Sequence, residues 1–311
     1  MALPVADVDA EVLGWVADRA DELLASAAVD GAVVLDARRQ LAGDSAALLS
    51  VLQQLPDAFG SAVAPPRENF ASRIELAPGV WSTPEWSGDR EMCAHHEGAQ
   101  LADPPAWLLM ALVRPADSGG EVFLADTRKA LQELPIELRD DFAADGWLLQ
   151  RNFRPHLGVG WDEVFGTKDP VRVEELAGQW LVDVEWARDG SLRATSRRPA
   201  IVRHPGTGAD CWFNQLAFLN HLSIPEPERA VLLDAFGVGG LPLTTLRGDG
   251  TAVSADQYDA ISRSYLSSQQ TVELLSGQIL LVDNVAAAHG RTPFTGLRVV
   301  AEVPFGHVAS S

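Results

Sequence analysis

Near its C-terminus the chain runs Ile279-Leu280-Leu281-Val282-Asp283-Asn284, then Ala286-Ala287-Ala288-His289-Gly290-Arg291 and Pro293-Phe294-Thr295-Gly296-Leu297-Arg298. A short apolar run bounded by polar residues, as at 279–282, predicts a buried strand. Pro293-Phe294-Thr295-Gly296 is a turn signal, and 297–303 reads as a strand coming back. A hairpin here brings Arg298 alongside His289. Runs of the same β type recur upstream at 108–113, 121–124, 200–202 and 211–214, a spacing that suits a sandwich or barrel. The chain therefore reads as mainly β.

Helical periodicity decorates this core. Apolar residues at helical spacing mark 9–27 and 45–55, with a short strand at 32–35 between them, and further helices fall at 127–134, 225–236 and 254–266. The region 137–195 has the weakest pattern and holds Trp147, Trp161, Trp180 and Trp186. Insertions of that length commonly build lids or binding walls. The expectation is one α+β domain over 1–311, mainly β with helical decoration, with N-terminal helices at about 9–55 and an irregular lid-like insertion at about 137–195.

Composition narrows the function classes. At 311 residues, 47% hydrophobic and 22% charged, the chain has ample material for a core. A formal charge of −19 repels nucleic acid and anionic membranes, so neither is an expected partner. No secretory signal and no apolar run long enough to span a membrane are read. Cys93 and Cys211 are the only cysteines, too few for a disulfide framework, and a reducing cytoplasm is the expected location.

The chemistry resides in Cys93-Ala94-His95-His96-Glu97. Read as a strand over 91–100, side chains two apart share a face, so His95 and Glu97 project together while His96 points away. A third ligand has to come from another strand, and His289 is the candidate. Two histidines and one carboxylate on one face of an iron leave positions open for reactants, the pattern of non-haem Fe(II) oxygenases. Zinc accepts the same donors for hydrolytic chemistry. Arg298 adds a planar fork that grips a carboxylate through two bonds, as a dicarboxylate co-substrate requires. The doubled histidine leaves another register open: His96 with Gly98 lacks the carboxylate and leaves a place for chloride, as in iron-dependent halogenases.

Taken with Gly119-Gly120-Glu121, His204-Pro205-Gly206-Thr207-Gly208, Trp212-Phe213-Asn214-Gln215 and Asp249-Gly250, these motifs resemble the taurine dioxygenase (TauD/TfdA) superfamily over roughly 10–305. The similarity is greatest to its clavaminate synthase-like and syringomycin-pathway aspartyl hydroxylase branch. The resemblance implies a double-stranded β-helix, or jelly roll, that binds Fe(II) through His95, Glu97 and His289. Arg298 would hold the distal carboxylate of 2-oxoglutarate, and O2 completes the reactants. It further implies hydroxylation of an unactivated C–H on an amino acid or amino-acid-derived small molecule, free or tethered to a carrier protein, in natural-product (antibiotic) biosynthesis. Desaturation or cyclisation on the same scaffold is the alternative outcome.

Departures from the family pattern fall near the site. Gln100 stands where many relatives have Tyr, which points to an altered substrate. Val122 stands where they have Thr, which shifts the co-substrate's hold onto Arg298 and the metal. Arg151, Asn152, Asn214 and Gln215 are candidate substrate-binding residues. Asp283 and Asn284 are candidates to orient the distal histidine. His204 is expected to anchor a turn, Cys93 to be a buried small side chain, and His156, His221 and His307 to be structural or exposed. Arg291 is equally suited to supporting the carboxylate site or to a structural pairing.

Overall fold

The computed structural model describes residues 3–155 and 157–308; His156 lies outside the described residues. Two sheets face each other. The larger orders its strands Val5–Asp7, Ala32–Asp36, Gln278–Asp283, Trp107–Arg114, Val299–Phe305, Val80–Ser82 and Glu75–Ala77. The smaller orders Gln269–Val272, Val122–Asp126, Ala287–Arg291 and Met92–His95, every pair antiparallel. Period-two alternation sorts the side chains. Val122 and Leu124 face inward with Ala287 to meet Leu108, Met110, Leu280, Val282 and Val300 from the larger sheet. Phe123, Ala125 and Ala288 face out, against a second core that includes Leu131, Phe142 and Trp212. The larger sheet's outer face is covered by the N-terminal helices, through Trp15, Val16, Leu48 and Leu52. This is the jelly-roll core expected for the fold class.

Three sequence readings are corrected. The 9–27 helix is two helices, Val12–Ala17 and Ala20–Asp30, broken where Arg19 takes φ −124°. The 137–195 region is regular: helices Ile136–Asp145 and Pro170–Gln179 flank a sheet of Val182–Trp186, Leu192–Arg198, Trp147–Phe153 and Leu243–Arg247. Its pattern was hidden because inward positions carry Ser196 and Arg198 as well as Leu192 and Ala194. The 297–303 strand does not pair with the His289 strand. Phe294–Thr295 pairs with Ser118–Gly119, and Val299–Phe305 then joins Trp107–Arg114 in the opposite sheet. The turn signal marks a crossing between sheets, not a hairpin.

Candidate metal centre

His95 and His289 are direct cross-strand partners on the inner face of the smaller sheet. Partners of this kind bring their Cβ atoms to about 4.5–5.5 Å, close enough to share a cation. Their rings lie 4.3 Å apart between centroids. Glu97 arrives differently from the sequence reading. The strand ends at His95, and Glu97 sits on the following turn. It leaves the ladder because Asn284 captures its backbone: Oδ1 accepts the Glu97 N–H at 2.8 Å and Nδ2 donates to the Glu97 carbonyl at 2.9 Å. Asn284 Nδ2 also donates to Pro105 O at 2.7 Å. The result is one cluster, in which ligand atoms of His95, Glu97 and His289 all lie within 4.8 Å of one another, and all three residues are buried.

This donor set fits a divalent iron. Two neutral imidazoles and one carboxylate are the facial triad, and no thiolate is among them. His95 Nδ1 donates to Cys93 O at 2.9 Å in the tautomer that frees Nε2 for a metal. Among the described residues His289 Nδ1 is buried with no hydrogen-bond partner, an orphaned polar atom on a ligand candidate. Burial lowers the pKa of both rings, His289's well below the usual imidazole range, with the neighbouring His95 adding to the effect. Both therefore stay neutral near pH 7, as metal ligands must.

The His96–Gly98 register is not formed. The His96 ring points away from the cluster, with Nδ1 2.6 Å from Asn284 O and Nε2 2.9 Å from Trp212 O. Burial brings its pKa down to about 4, against the pull of those carbonyls.

Arg298 lies just after the crossing between the two sheets. Its side chain lies over Gly120, where an added Cβ would stand 2.8 Å from Arg298 Cδ, and Gly120 has φ +78°. It lines a cleft of about 370 Å³ together with Leu112, Val122, Val272 and Leu274. Burial lowers its pKa, with Glu302 and Glu121 opposing.

Two further residues of the centre escaped the sequence reading. Arg73 Nη2 donates to both Glu97 oxygens, at 2.8 and 3.0 Å, and its Nη1 donates to Glu302 Oε2 at 2.8 Å. Burial pushes the Glu302 carboxyl up, to about 7, while Arg73 pulls it back. A lone charge in the apolar run Val299-Val300-Ala301-Glu302-Val303 was a usable signal for Glu302, because a buried carboxylate needs a partner. Arg73 had none.

The four substrate candidates make hydrogen bonds to the protein itself. Arg151 donates to Glu68 O and Asn69 O at 3.0 and 2.9 Å, and Asn152 donates to Leu241 O at 2.7 Å and accepts from Arg193. Asn214 accepts from Leu216 N–H, and Gln215 donates to His96 O at 2.7 Å, which leaves only its Oε1 free of partners. Their polar atoms knit loops to the core. Arg291 likewise donates to the carbonyls of Ser87 and Arg90. Asp283 caps Val285 and Ala286 N–H groups and pairs with His204, whose Nδ1 accepts from Gly206 and Thr207. His204 thus anchors its turn. Cys93 and Cys211 are free thiols. An aromatic wall closes one side of the centre: Phe218 stacks on His95 at 4.5 Å, with Phe70 and Trp86 packed against Phe218.

The chain also shows similarity to known proteins. The model of the taurine catabolism dioxygenase TauD, TfdA family matches residues 16–302. The chain is 30% identical over 234 residues to the dapdiamide synthesis protein DdaC of Enterobacter agglomerans, covering 75% of this chain and 71% of that protein. It is 25% identical over 251 residues to a clavaminate synthase-like protein of Arabidopsis thaliana, covering 76% and 72%. Among solved structures, one described as an alpha-ketoglutarate-dependent taurine dioxygenase from Burkholderia xenovorans has TM-score 0.52 at 15% identity, covering 100% of this chain and 93% of the other. The PvcB protein from Pseudomonas aeruginosa has TM-score 0.51 at 15% identity, covering 94% and 80%. At such identities these structures speak for the fold.

Proposed function

The chain belongs to the taurine catabolism dioxygenase TauD, TfdA family, and from that premise we propose that it hydroxylates an unactivated C–H of an amino acid or amino-acid-derived substrate in natural-product biosynthesis. It is a non-haem iron oxygenase that uses Fe(II), 2-oxoglutarate and O2 on a small-molecule substrate. The observation carrying the biosynthetic reading is the 30% identity to a dapdiamide synthesis protein. Among the described residues no helix is long and apolar enough to cross a membrane.

In this reading His95, Glu97 and His289 hold the iron and Arg298 grips the distal carboxylate of 2-oxoglutarate. When bound, iron and 2-oxoglutarate supply with O2 the oxidant that removes a hydrogen from the substrate. The chain's own residues do the rest. Asn284 fixes Glu97 through its backbone, and Cys93 O sets the His95 ring. Neutral imidazoles spare the metal a competing proton. The buried setting of all three ligands keeps water from the reacting atoms.

The test is a screen of free amino acids, with Fe(II) and 2-oxoglutarate under O2, for succinate formation and product mass. Gain of one oxygen supports the proposal. Loss of two hydrogens assigns desaturation or cyclisation, and a gained chlorine sinks the hydroxylase reading. Turnover only with carrier-tethered amino acids places the substrate on a carrier. Succinate formation that survives His289→Ala and Glu97→Ala would refute the ligand assignment.

A further inference from the structure

We propose that Arg73 is a positioning residue for the iron-binding carboxylate and that Glu302 locks it in place. Arg73 lies just before the Glu75–Ala77 strand, at the edge of the larger sheet. From there it reaches between two carboxylates, one on each side of the sandwich: Glu97, on the turn after the smaller sheet's edge strand, and Glu302, on Val299–Phe305 of the larger sheet. The side chains of Arg73, Glu97 and Glu302 are 5%, 10% and 2% exposed. A guanidinium so far from water is stable only when its N–H groups are taken up by fixed acceptors. Here its two terminal nitrogens are, by three charge-assisted bonds between 2.8 and 3.0 Å.

The assignment rests on Glu97 being a metal ligand. A carboxylate ligand turns freely about its terminal torsion and offers either one or both oxygens to a cation. Arg73 Nη2, held between both Glu97 oxygens, restricts that freedom and fixes the plane of the carboxylate beside the histidines. Arg73 alone would also place a positive charge beside a divalent cation, a repulsion the low-dielectric interior makes costly. Glu302 offsets that charge. With Glu302 ionised the Arg73–Glu302 pair is neutral, so it orients Glu97 without opposing the metal. Partners that fix a metal's ligands in this way typically control affinity by 10–100-fold.

The experiment is titration of the full-length apoprotein with Co(II), followed by calorimetry and by the cobalt visible bands. Arg73→Gln is expected to weaken Co(II) binding by about 10–100-fold and to change the visible bands, with Arg73→Lys intermediate and Glu302→Gln weaker than the unaltered protein. Thermal melting of each apoprotein separates a folding defect from a binding defect. Binding by folded Arg73→Gln within about two-fold of the unaltered protein would overturn the proposal. If Arg73→Gln does not fold, Arg73→Lys carries the test, and Co(II) binding unchanged in it would overturn the proposal equally. Glu97→Ala is the separate control. If it binds Co(II) normally, the ligand assignment itself fails; if it loses Co(II) while Arg73→Gln keeps it, only the role of Arg73 fails.

Discussion

Asn284→Ala probes how the centre is assembled. Asn284 is fully buried, and its amide holds three main-chain groups: Glu97 N–H at 2.8 Å, Glu97 C=O at 2.9 Å and Pro105 C=O at 2.7 Å. Truncation strands all three, at about 1–3 kcal/mol each. The carbonyls sit at the low end of that range because a partly satisfied C=O is better tolerated than an orphaned N–H. The expected loss is therefore about 4 kcal/mol, or a fall of about 6 °C in Tm for a chain of this size. Urea denaturation of the apoprotein measures it, and Co(II) titration reads the displacement of Glu97 alongside. Asn284→Asp keeps the acceptor for Glu97 N–H but turns an anionic oxygen toward two carbonyls, so its loss is expected to exceed that of Asn284→Ala. A loss below about 1 kcal/mol with Co(II) affinity intact would refute the reasoning, since Glu97 would then hold its place without the amide.

Other perturbations test the neighbouring parts. Gly290→Ala puts a Cβ 2.3 Å from Phe123 Cζ and 2.4 Å from Met92 O, next to His289. Overpacking there is expected to cost about 3 kcal/mol or more and to lower Co(II) affinity; a stable variant with normal binding would show that the strand yields freely. Gly120→Ala displaces Arg298 and strains a positive φ, so the KM for 2-oxoglutarate should rise by about ten-fold or more while Co(II) binding is kept; an unchanged KM would detach Arg298 from the co-substrate. His96, brought down to about 4 by burial from 6.5, stays neutral in the fold where the unfolded chain takes up a proton. Stability from this residue is thus complete above pH 6.5 and falls by up to about 1.4 kcal/mol per unit as pH drops toward 4. Glu68 and Glu302, both raised to about 7 by burial, act with the opposite sign between pH 4.5 and 7. The comparison of urea midpoints at pH 6.5 and 5 is therefore made against His96→Gln, whose slope should lack the His96 part; equal slopes would refute it.

Much of the molecule could be read locally. The strand runs at 108–113 and 279–282 appear as Trp107–Arg114 and Gln278–Asp283, because short apolar runs carry their own pairing and burial preference. The helix at 45–55 appears as Ser45–Ala58 for the same reason. His95, Glu97, His289 and Arg298 were legible as residue types in ordered motifs, since a metal and a dicarboxylate each demand particular donors. Val122, which stands where many relatives have Thr, lines the same cleft as Arg298.

What sequence alone could not supply was every feature set by chain segments far apart. Alternation along one strand placed Glu97 beside His95, but the geometry comes from a side chain 187 positions away, Asn284, drawing Glu97 onto a turn. The C-terminal turn signal was correct as a turn, yet the partner of the strand after it lies in the other sheet. A turn determines that the chain reverses, and packing between sheets determines where it goes. The same limit hid Arg73, whose role exists only because Glu97 and Glu302 meet it across the sandwich. Tertiary contact also turned Arg151 and Asn152 onto backbone carbonyls that only folding brings near. Donor chemistry is written in residue types; which donors converge is a property of tertiary contact, because buried polar groups bind whichever partners the fold leaves within reach.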